Sequence, residues 1–500
     1  MKKFFQDNLY YVLGGIVVLI LFSLRFVNLT ILPVFADEAI YIRWAQIMKA
    51  EETLRFLPLS DGKQPLFMWL VIPFLKFISD PLMAGRLVSV FSGFGTLIGI
   101  SFLSYLLFKS KKVSLIGALI YSLSPFAFFF DRLSMVDSLL TMFGIWTFIF
   151  SYLLITKSRL DFALLSGFAL GGAWLTKSPA LFFALMLPTL LIFSDRKKYL
   201  ISIFYLLITI LIGYGFYNIL RLGPNYSMIA ARTLDYIWPI NHILTSPFDP
   251  LKPWLLQSWQ WLVMMGPLPI IVLWLTGYMV NIKKYWKELF ILTIWFLGPI
   301  FVESEFAKVL TARYIFLTIP FLIIIASSAF LEERKNWMKF LSLVLIFFVA
   351  QSLIFDYHLL VNSEKANLPR SERSGYLEEW TAGQGIRESA EYLKLQITNL
   401  KSNEHIVVGT EGYFGTLPDG LQAYLNKEKQ ITIIGVGLNF TDLPKSLIES
   451  RDFGNKTYLL INNDRFKGDP KRENLKLIAE YPKAIKPDGT HQSLLFYELK

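Results

Sequence analysis

The chain reads Val34-Phe35-Ala36-Asp37-Glu38-Ala39-Ile40-Tyr41 just beyond its first apolar run. Two adjacent acids so close to a membrane span are energetically unfavourable near lipid, which favours a functional role for them. Asp37 would suit the N-cap of a helix over about residues 38–50, but capping alone does not need two acids. One face of that helix is apolar, and we expect it to lie on lipid. This face carries Ile40, Trp44, Ile47 and Met48.

The composition is that of a polytopic membrane protein. Hydrophobic residues make up 54% of the 500 residues, and the mean hydropathy is +0.47. Charged residues make up only 17%, against about 25% in soluble domains. The formal net charge of +11 comes mainly from basic clusters between apolar runs, which favours contact with anionic membrane lipids and gives no indication of a nucleic-acid partner.

Cysteine and histidine usage narrows the chemistry further. The chain has no cysteine, so disulfides, thiolate catalysis and cysteine metal sites are excluded. Its four histidines are scattered and show no metal-ligand spacing. The sequence therefore predicts no metal site, although a divalent cation stays open as a cofactor.

The apolar runs predict about eleven membrane spans, each near the length that crosses ~30 Å of hydrocarbon. The run 66–78 is apolar but short, and we expect it to lie flat on the membrane surface. The predicted spans lie near 9–29, 84–108, 113–130, 138–156, 160–176, 179–194, 199–220, 259–281, 288–302, 312–331 and 338–356. The fold class is thus a polytopic α-helical bundle, with an uncleaved first span rather than a signal peptide.

Charge predicts the orientation of these spans. With the N-terminus in the cytoplasm, the dense basic clusters of the short loops fall on the inner side, as the positive-inside rule requires. Examples are 109–112, 196–198 and 283–287. The same alternation places the acid pair and the polar residues discussed below at the outer face of the cell membrane. It also places the C-terminal part of the chain outside.

Two domains are expected. Residues 1–357 form the membrane domain, with outer segments at 30–83 (surface helices) and 221–258. From 358 to 500 the composition turns soluble and predicts a small extracytoplasmic α/β domain. Its predicted strands are 405–410, 430–436, 457–462, 475–481 and 493–498, and its helical patterns are 385–399, 419–427 and 441–451.

Polar residues at the outer ends of the spans are the other site candidates. A lysine beside an apolar segment can hold a lipid phosphate, or it can simply extend to the membrane surface. An arginine that opens an apolar span needs an anionic partner. The cations are Lys63, Arg132, Lys177 and Arg313; the other candidates are Tyr41, Asp137, His242, Glu303 and Glu305. Loop packing is the favoured role for His242, and a salt bridge or helix cap is equally open for Arg132 and Asp137.

These residues form an ordered set of motifs that resembles the GT-C membrane glycosyltransferases over about residues 10–330. Within that class it more closely resembles the glycosyltransferase family 39-like branch of protein O-mannosyltransferases and lipid A aminoarabinose transferases. The motifs are the acid pair at Asp37, Lys63-Gln64-Pro65-Leu66, Arg132 with Asp137, Thr176-Lys177-Ser178-Pro179, and Arg313-Tyr314 followed by Pro320. The stretch 379–386 also resembles the start of the outer domain in prokaryotic members.

The resemblance implies an inverting transfer of a sugar from a polyprenyl-phosphate donor to a lipid, glycan or protein hydroxyl. It implies Asp37 as the general base, with Glu38 as the fallback. It also implies Lys63 as the phosphate-holding cation, with Arg313 and Arg132 around the donor. The chain departs from the family where Gln64 replaces a proline. At Gly62 the aminoarabinose enzymes have a metal-linked glutamate, so metal dependence is not carried over.

Three other functions fit parts of the sequence. A flippase or transporter of lipid-linked sugars is disfavoured because no internal repeat is visible and the polar residues gather at one face. An assembly protein anchored in the membrane would not need so many spans. An oligosaccharide transferase or polymerase of the same fold stays open, as do the identities of the sugar and the acceptor.

Overall fold

The computed structural model describes residues 2–398, 400 and 404–500. Helices fill the greater part of the chain, and five strands come near its end. The α-helices are α1 Lys2–Phe26, α2 Ala36–Ala50, α3 Leu66–Phe77, α4 Pro81–Phe108, α5 Lys111–Leu123, α6 Pro125–Phe130, α7 Val136–Lys157, α8 Leu160–Thr176, α9 Leu181–Met186, α10 Tyr199–Asn218, α11 Met228–Tyr236, α12 His242–Thr245, α13 Leu251–Met265, α14 Leu268–Asn281, α15 Trp286–Phe306, α16 Ala312–Ile315, α17 Ile319–Ser328, α18 Lys335–Val361, α19 Arg370–Arg373, α20 Ile386–Ile397, α21 Asp419–Tyr424 and α22 Lys445–Asp452. The strands are β1 Ile406–Thr410, β2 Ile431–Gly435, β3 Lys456–Asn462, β4 Leu475–Pro482 and β5 Ser493–Leu499.

Seven helices among the described residues are long and apolar enough to cross a membrane, and a bent pair raises the number to eight. They are Asn8–Phe26, Pro81–Phe108, Val136–Lys157, Arg196–Leu222, Trp286–Phe306, Ala312–Leu331 and Lys335–Val361. The predicted count of eleven is therefore not confirmed. The runs at Leu160–Thr176 and Ser178–Phe193 are helical but shorter, and so is Leu66–Phe77.

Two of the predicted spans are interrupted at prolines. The run predicted at 113–130 divides into α5 and α6, and α6 begins at Pro125. The run predicted at 259–281 bends by 104° between α13 and α14, where Gly266 precedes Pro267. Proline has no backbone N–H to donate and its ring crowds the preceding turn, so a helix readily breaks there and restarts beyond it.

Contacts within the chain divide it into two compact units. Unit 1 comprises 1–29, 54–70 and 86–369, and unit 2 comprises 30–53, 71–85 and 370–500. These contacts thus do not divide the chain at the single boundary expected near residue 357. Residues 30–53 and 71–83 of the first outer segment both belong to the same unit as the C-terminal residues.

Unit 2 contains a five-stranded mixed sheet in the order β2-β1-β3-β5-β4. β1 is parallel to β2 and β3, while β5 is antiparallel to β3 and β4. Helices α21 and α22 follow β1 and β2, as expected where parallel strands need crossover connections. All five predicted strands and the α/β character of this domain are confirmed.

The helix of the acid pair, α2, belongs to unit 2 and packs into its core. Ala39 and Ile42 lie in one apolar cluster with Ile386 of α20 and Leu421 of α21. The side chain of Gln46 donates to the carbonyl of Ala423 at 2.8 Å. The face expected to lie on lipid is instead largely buried in protein: Ile40, Trp44 and Met48 are each at most 5% exposed.

Candidate active site

The two acids of the pair differ in their contacts and burial, which the sequence did not predict. Helix α2 begins at Ala36, and its cap residue is Phe35 rather than Asp37. The fully buried Glu38 carboxylate accepts a hydrogen bond from the backbone N–H of Phe35 at 3.0 Å. Glu38 therefore caps the helix, since this bond satisfies a backbone donor at the helix start. The expectation that Asp37 is the N-cap is wrong.

Asp37 lies in the first turn of α2 and is only partly buried. Negative charge is favourable at a helix N-terminus, where the backbone N–H groups point outward. Tyr41 lies one helical turn further on, so it shares the face of Asp37. It is 5% exposed, and its ring centroid lies 6.1 Å from that of Trp44. Of the two acids, Asp37 is the more accessible to a substrate.

In unit 1 the candidates Asp137 and Lys177 form a partly buried ion pair. The Lys177 Nζ donates to Asp137 Oδ1 at 2.6 Å and lies 4.2 Å from the ring centroid of Tyr314. The Glu303 carboxylate interacts electrostatically with both Lys177 and Asp137. The arginine candidate Arg313 adjoins this group, with its guanidinium carbon 5.3 Å from the Tyr314 ring centroid. Candidates from four separate motifs are thus neighbours.

This cluster has buried carboxylate oxygens that accept no hydrogen bond from the described residues. They are Oδ2 of Asp137 and Oε2 of Glu303. Buried oxygen atoms are nearly always paired in proteins, so such atoms need a donor from elsewhere. Within the described residues, no group of three or more acids and histidines could hold a metal ion.

Lys63 has partners that the sequence interpretation missed. Its Nζ lies 3.6 Å from Asp61, and the other carboxylate oxygen of Asp61 lies 2.9 Å from Arg232 of α11. The Asp61 carboxylate raises the pKa of Arg232. Between these partners Gly62 has a φ of +68°, and a Cβ there would lie 2.7 Å from the carbonyl oxygen of Met228. Lys63 therefore has a carboxylate partner within the chain, which its place in the sequence did not predict.

Gln64 joins two of the motifs. Its amide Nε2 donates to the hydroxyl of Ser178 at 2.8 Å, and Gln64 is only 4% exposed. Ser178 directly follows Lys177 in the chain. The residue that departs from the family pattern therefore links the Lys63 motif to the Lys177 motif, a bond that proline at position 64 could not make.

Removing this bond should destabilise unit 1 modestly. We expect Gln64→Leu to lower the stability by about 1 kcal/mol, because a buried hydrogen bond is lost and the Ser178 hydroxyl remains. Thermal unfolding of the purified protein measures the change, with the exposed Gln260→Leu as control. In a cycle with Ser178→Ala the two losses should not add. Additive losses would show that the bond contributes nothing.

Arg132 binds the C-terminal end of helix α1. Its guanidinium donates to the carbonyls of Leu24, Arg25, Val27 and Asn28 at 2.6–2.9 Å. It is 2% exposed. These carbonyls lie at the C-terminus of α1, where a cation is favourable. The contacts favour a helix-capping role for Arg132 over contact with a donor.

His242 stacks on Trp238, with ring centroids 4.7 Å apart and an interplanar angle of 20°. The two rings border a cavity of about 370 Å³ that Trp254 and Lys308 also line. The stacking fits the loop-packing role favoured from the sequence.

Sequence reasoning missed three polar residues near the candidates. Arg25 ends the first span and forms a fully buried ion pair with Asp131 at 3.4 Å. A charge within an apolar run is a recognisable signal, and it could have been used. Asp61, two residues before Lys63, was equally visible. Nothing in the sequence besides its charge marks Arg232 as a site residue, because its partner Asp61 is distant in the chain.

The motif-bearing region also matches a known family. The family model described as dolichyl-phosphate-mannose-protein mannosyltransferase matches residues 62–214. This range contains Lys63, Arg132, Asp137 and Lys177, but neither Asp37 nor Arg313. No curated protein matches the chain.

Solved structures match over nearly the whole chain. ArnT from Cupriavidus metallidurans in the apo state superposes with a TM-score of 0.62 at 12% identity, covering 98% of each chain. The same protein bound to undecaprenyl phosphate gives 0.60 at 13% identity, again covering 98% of each. The archaeal oligosaccharyltransferase AglB from Archaeoglobus fulgidus, in complex with an inhibitory peptide and a dolichol-phosphate, gives 0.53 at 12% identity, covering 99% of this chain and 74% of AglB.

The chain therefore has the GT-C fold of membrane glycosyltransferases, and the resemblance drawn from its motifs is confirmed. Its long apolar helices and this fold make it a multi-pass membrane protein.

Proposed function

We propose that this protein transfers a sugar from a polyprenyl-phosphate donor to an acceptor hydroxyl at the outer membrane face. The main support is the difference in burial within the acid pair: Asp37 lies partly exposed in the first turn of α2, whereas the Glu38 carboxylate is fully buried and accepts the Phe35 backbone N–H. A catalytic carboxylate needs such access to take a proton. The GT-C fold, and the lipid phosphates bound to ArnT and AglB, support the class of donor.

The reaction is a single inverting displacement. The acceptor oxygen attacks the anomeric carbon of the donor, and the bond from that carbon to the phosphate oxygen breaks. The hydroxyl proton passes to the Asp37 carboxylate, and the electron pair of the broken bond goes to the lipid phosphate. Lys63, Lys177 and Arg313 neutralise the charge that develops on the phosphate. Asp137 and Glu303 accept hydrogen bonds from the sugar hydroxyls.

A second candidate is the transfer of a preassembled oligosaccharide, because AglB, an oligosaccharyltransferase, shares the fold. Mass analysis separates the two. Polyprenyl-linked sugars and surface glycans are compared in cells with the protein, without it, and with Asp37→Asn. Loss of the protein should cause one polyprenyl-linked saccharide to accumulate and one surface modification to disappear. The mass of that saccharide distinguishes a single sugar from an oligosaccharide, and no change in either pool would contradict both.

The proposed topology has the N-terminus in the cytoplasm and the C-terminal domain outside. The chain has no cysteine, so single cysteines can be introduced at the exposed positions Lys283 and Ser446. In intact cells, an impermeant thiol reagent should label Ser446→Cys. It should label Lys283→Cys only after the cells are permeabilised. The reverse pattern would overturn the orientation.

A further inference from the structure

The parallel strands of unit 2 form a topological switch point. The chain passes from β1 to β2 on one side and then to β3 on the other side of β1. In open α/β sheets, ligands bind outside the carboxyl ends of the strands at such a point, because the connections diverge there and leave a crevice. The residues at these ends are Glu411, directly after β1, and Asn462, the last residue of β3. The proposed transfer reaction uses neither of them.

Glu411 and Asn462 form a buried polar pair. The backbone N–H of Asn462 donates to Glu411 Oε2 and its side-chain amide donates to Oε1, each at 2.7 Å. Glu411 is 4% exposed and Asn462 is 2% exposed. The Oδ1 of Asn462 is nevertheless buried without a hydrogen-bond partner among the described residues. Buried acceptors are nearly always paired, so the described residues leave this oxygen able to accept one further hydrogen bond.

Two lysines bind Glu379, the residue directly before an exposed tryptophan. Lys483 is 4% exposed, and its Nζ donates to the backbone carbonyl of Glu379 at 2.9 Å. Burial lowers the pKa of Lys483 to about 8, and the charge of Glu411 opposes that shift. The Nζ of Lys486 lies 3.0 Å from the Glu379 carboxylate. The position of Glu379, and of Trp380 directly after it, is thereby held from two sides.

Trp380 is the exposed part of this site. It is 38% exposed although the guanidinium of Arg465 lies 5.5 Å from its ring centroid. The backbone N–H of Arg465 donates to the carbonyl of Asn462 at 2.9 Å, which connects the tryptophan back to the switch point. Gly415 in the loop after β1 has a φ of +122°, and a Cβ there would lie 3.4 Å from the Trp380 ring. The same loop exposes the aromatic rings of Tyr413 and Phe414.

We infer that this switch point of unit 2 binds a saccharide, with a sugar ring against Trp380 and a sugar hydroxyl donating to Oδ1 of Asn462. The exposed ring offers an apolar surface to the C–H groups of a pyranose, and the amide and lysine groups match its hydroxyls. If the proposed function holds, on which this last step rests, the bound saccharide is part of the acceptor.

The test measures binding without turnover. The full-length protein in lipid nanodiscs is applied to an immobilised panel of neutral, amino and acidic oligosaccharides. Wild type should bind at least one of them. Trp380→Ala should weaken that binding about tenfold or more, the usual cost of removing an aromatic anchor. Trp380→Phe should retain most of it. The matched control is Phe453→Ala, which removes another exposed ring of unit 2.

Three outcomes would overturn the inference. They are no binding by wild type to any oligosaccharide of the panel, equal losses in Trp380→Ala and Phe453→Ala, and loss in Trp380→Phe equal to that in Trp380→Ala. Asn462→Asp provides an independent probe, since it places a second carboxylate beside Glu411 and should also weaken binding. Asp37→Asn should bind the panel as wild type does. A failure of the proposed transfer is therefore distinguishable from a failure of this site.

Discussion

Asp37→Asn is expected to lower turnover about 100-fold or more while leaving the affinity for the lipid-linked donor unchanged. Asparagine keeps the size of the side chain and its ability to accept a hydrogen bond, but it cannot take a proton from the acceptor hydroxyl. Helix capping cannot account for such a loss, because Glu38 bonds the backbone N–H of Phe35. The measurement is single-turnover transfer from a defined donor to a defined acceptor, with donor binding measured separately.

Glu38→Gln is the matched control for this experiment. The amide oxygen of glutamine can still accept the Phe35 N–H, so turnover should stay near normal and stability should fall by about 1 kcal/mol or less. If Glu38→Gln loses turnover and Asp37→Asn does not, the base is Glu38. Normal turnover in both variants would show that the mechanism is wrong even though the fold is right.

The sheet of unit 2 was predictable because its signals are local. Short runs of β-branched and aromatic residues, separated by turn residues and helical patterns, are enough to define alternating strands and helices. All five strands were predicted to within a residue or two. The mixed order of the sheet was not predicted, since pairing depends on contacts between distant residues.

Helix α2 shows where an apolar pattern is ambiguous. A stripe of Ile, Trp and Met residues predicts that one face avoids water, but lipid and protein satisfy that requirement equally. The structure buries Ile40, Trp44 and Met48 in protein. Only the partner residues of unit 2, which come more than three hundred positions later, decide between the two, as with the bond from Gln46 to Ala423.

The polar candidates show a similar limit. The sequence selected Lys63, Lys177 and Asp137 as site candidates because charges beside apolar runs are rare. It could not predict that Lys177 pairs with Asp137 or that Arg132 binds the end of α1. Both outcomes depend on which helices are neighbours. Such packing follows from side-chain fit along whole helices rather than from any one motif.

Lys63→Ala and Arg313→Ala are each expected to weaken the binding of undecaprenyl phosphate about tenfold or more, as a charge-assisted contact is worth ~1.5–3 kcal/mol. Asp61 does not remove Lys63 from this role. The Asp61 carboxylate is shared between two cations, with Lys63 Nζ 3.6 Å from one of its oxygens and Arg232 2.9 Å from the other. The Lys63 side chain also keeps 25% of its surface exposed. A lipid phosphate can therefore reach it.

The measurement is equilibrium binding of undecaprenyl phosphate to the purified protein in nanodiscs. Lys252→Ala is the matched control because it removes an exposed cation from the same predicted outer face. Lys63→Arg keeps the charge and should retain most of the affinity. Equal losses in Lys63→Ala and Lys252→Ala would indicate general attraction to an anionic lipid. Unchanged affinity in both Lys63→Ala and Arg313→Ala would exclude these two residues as the phosphate-binding cations, since a charge removed from the phosphate must weaken its binding.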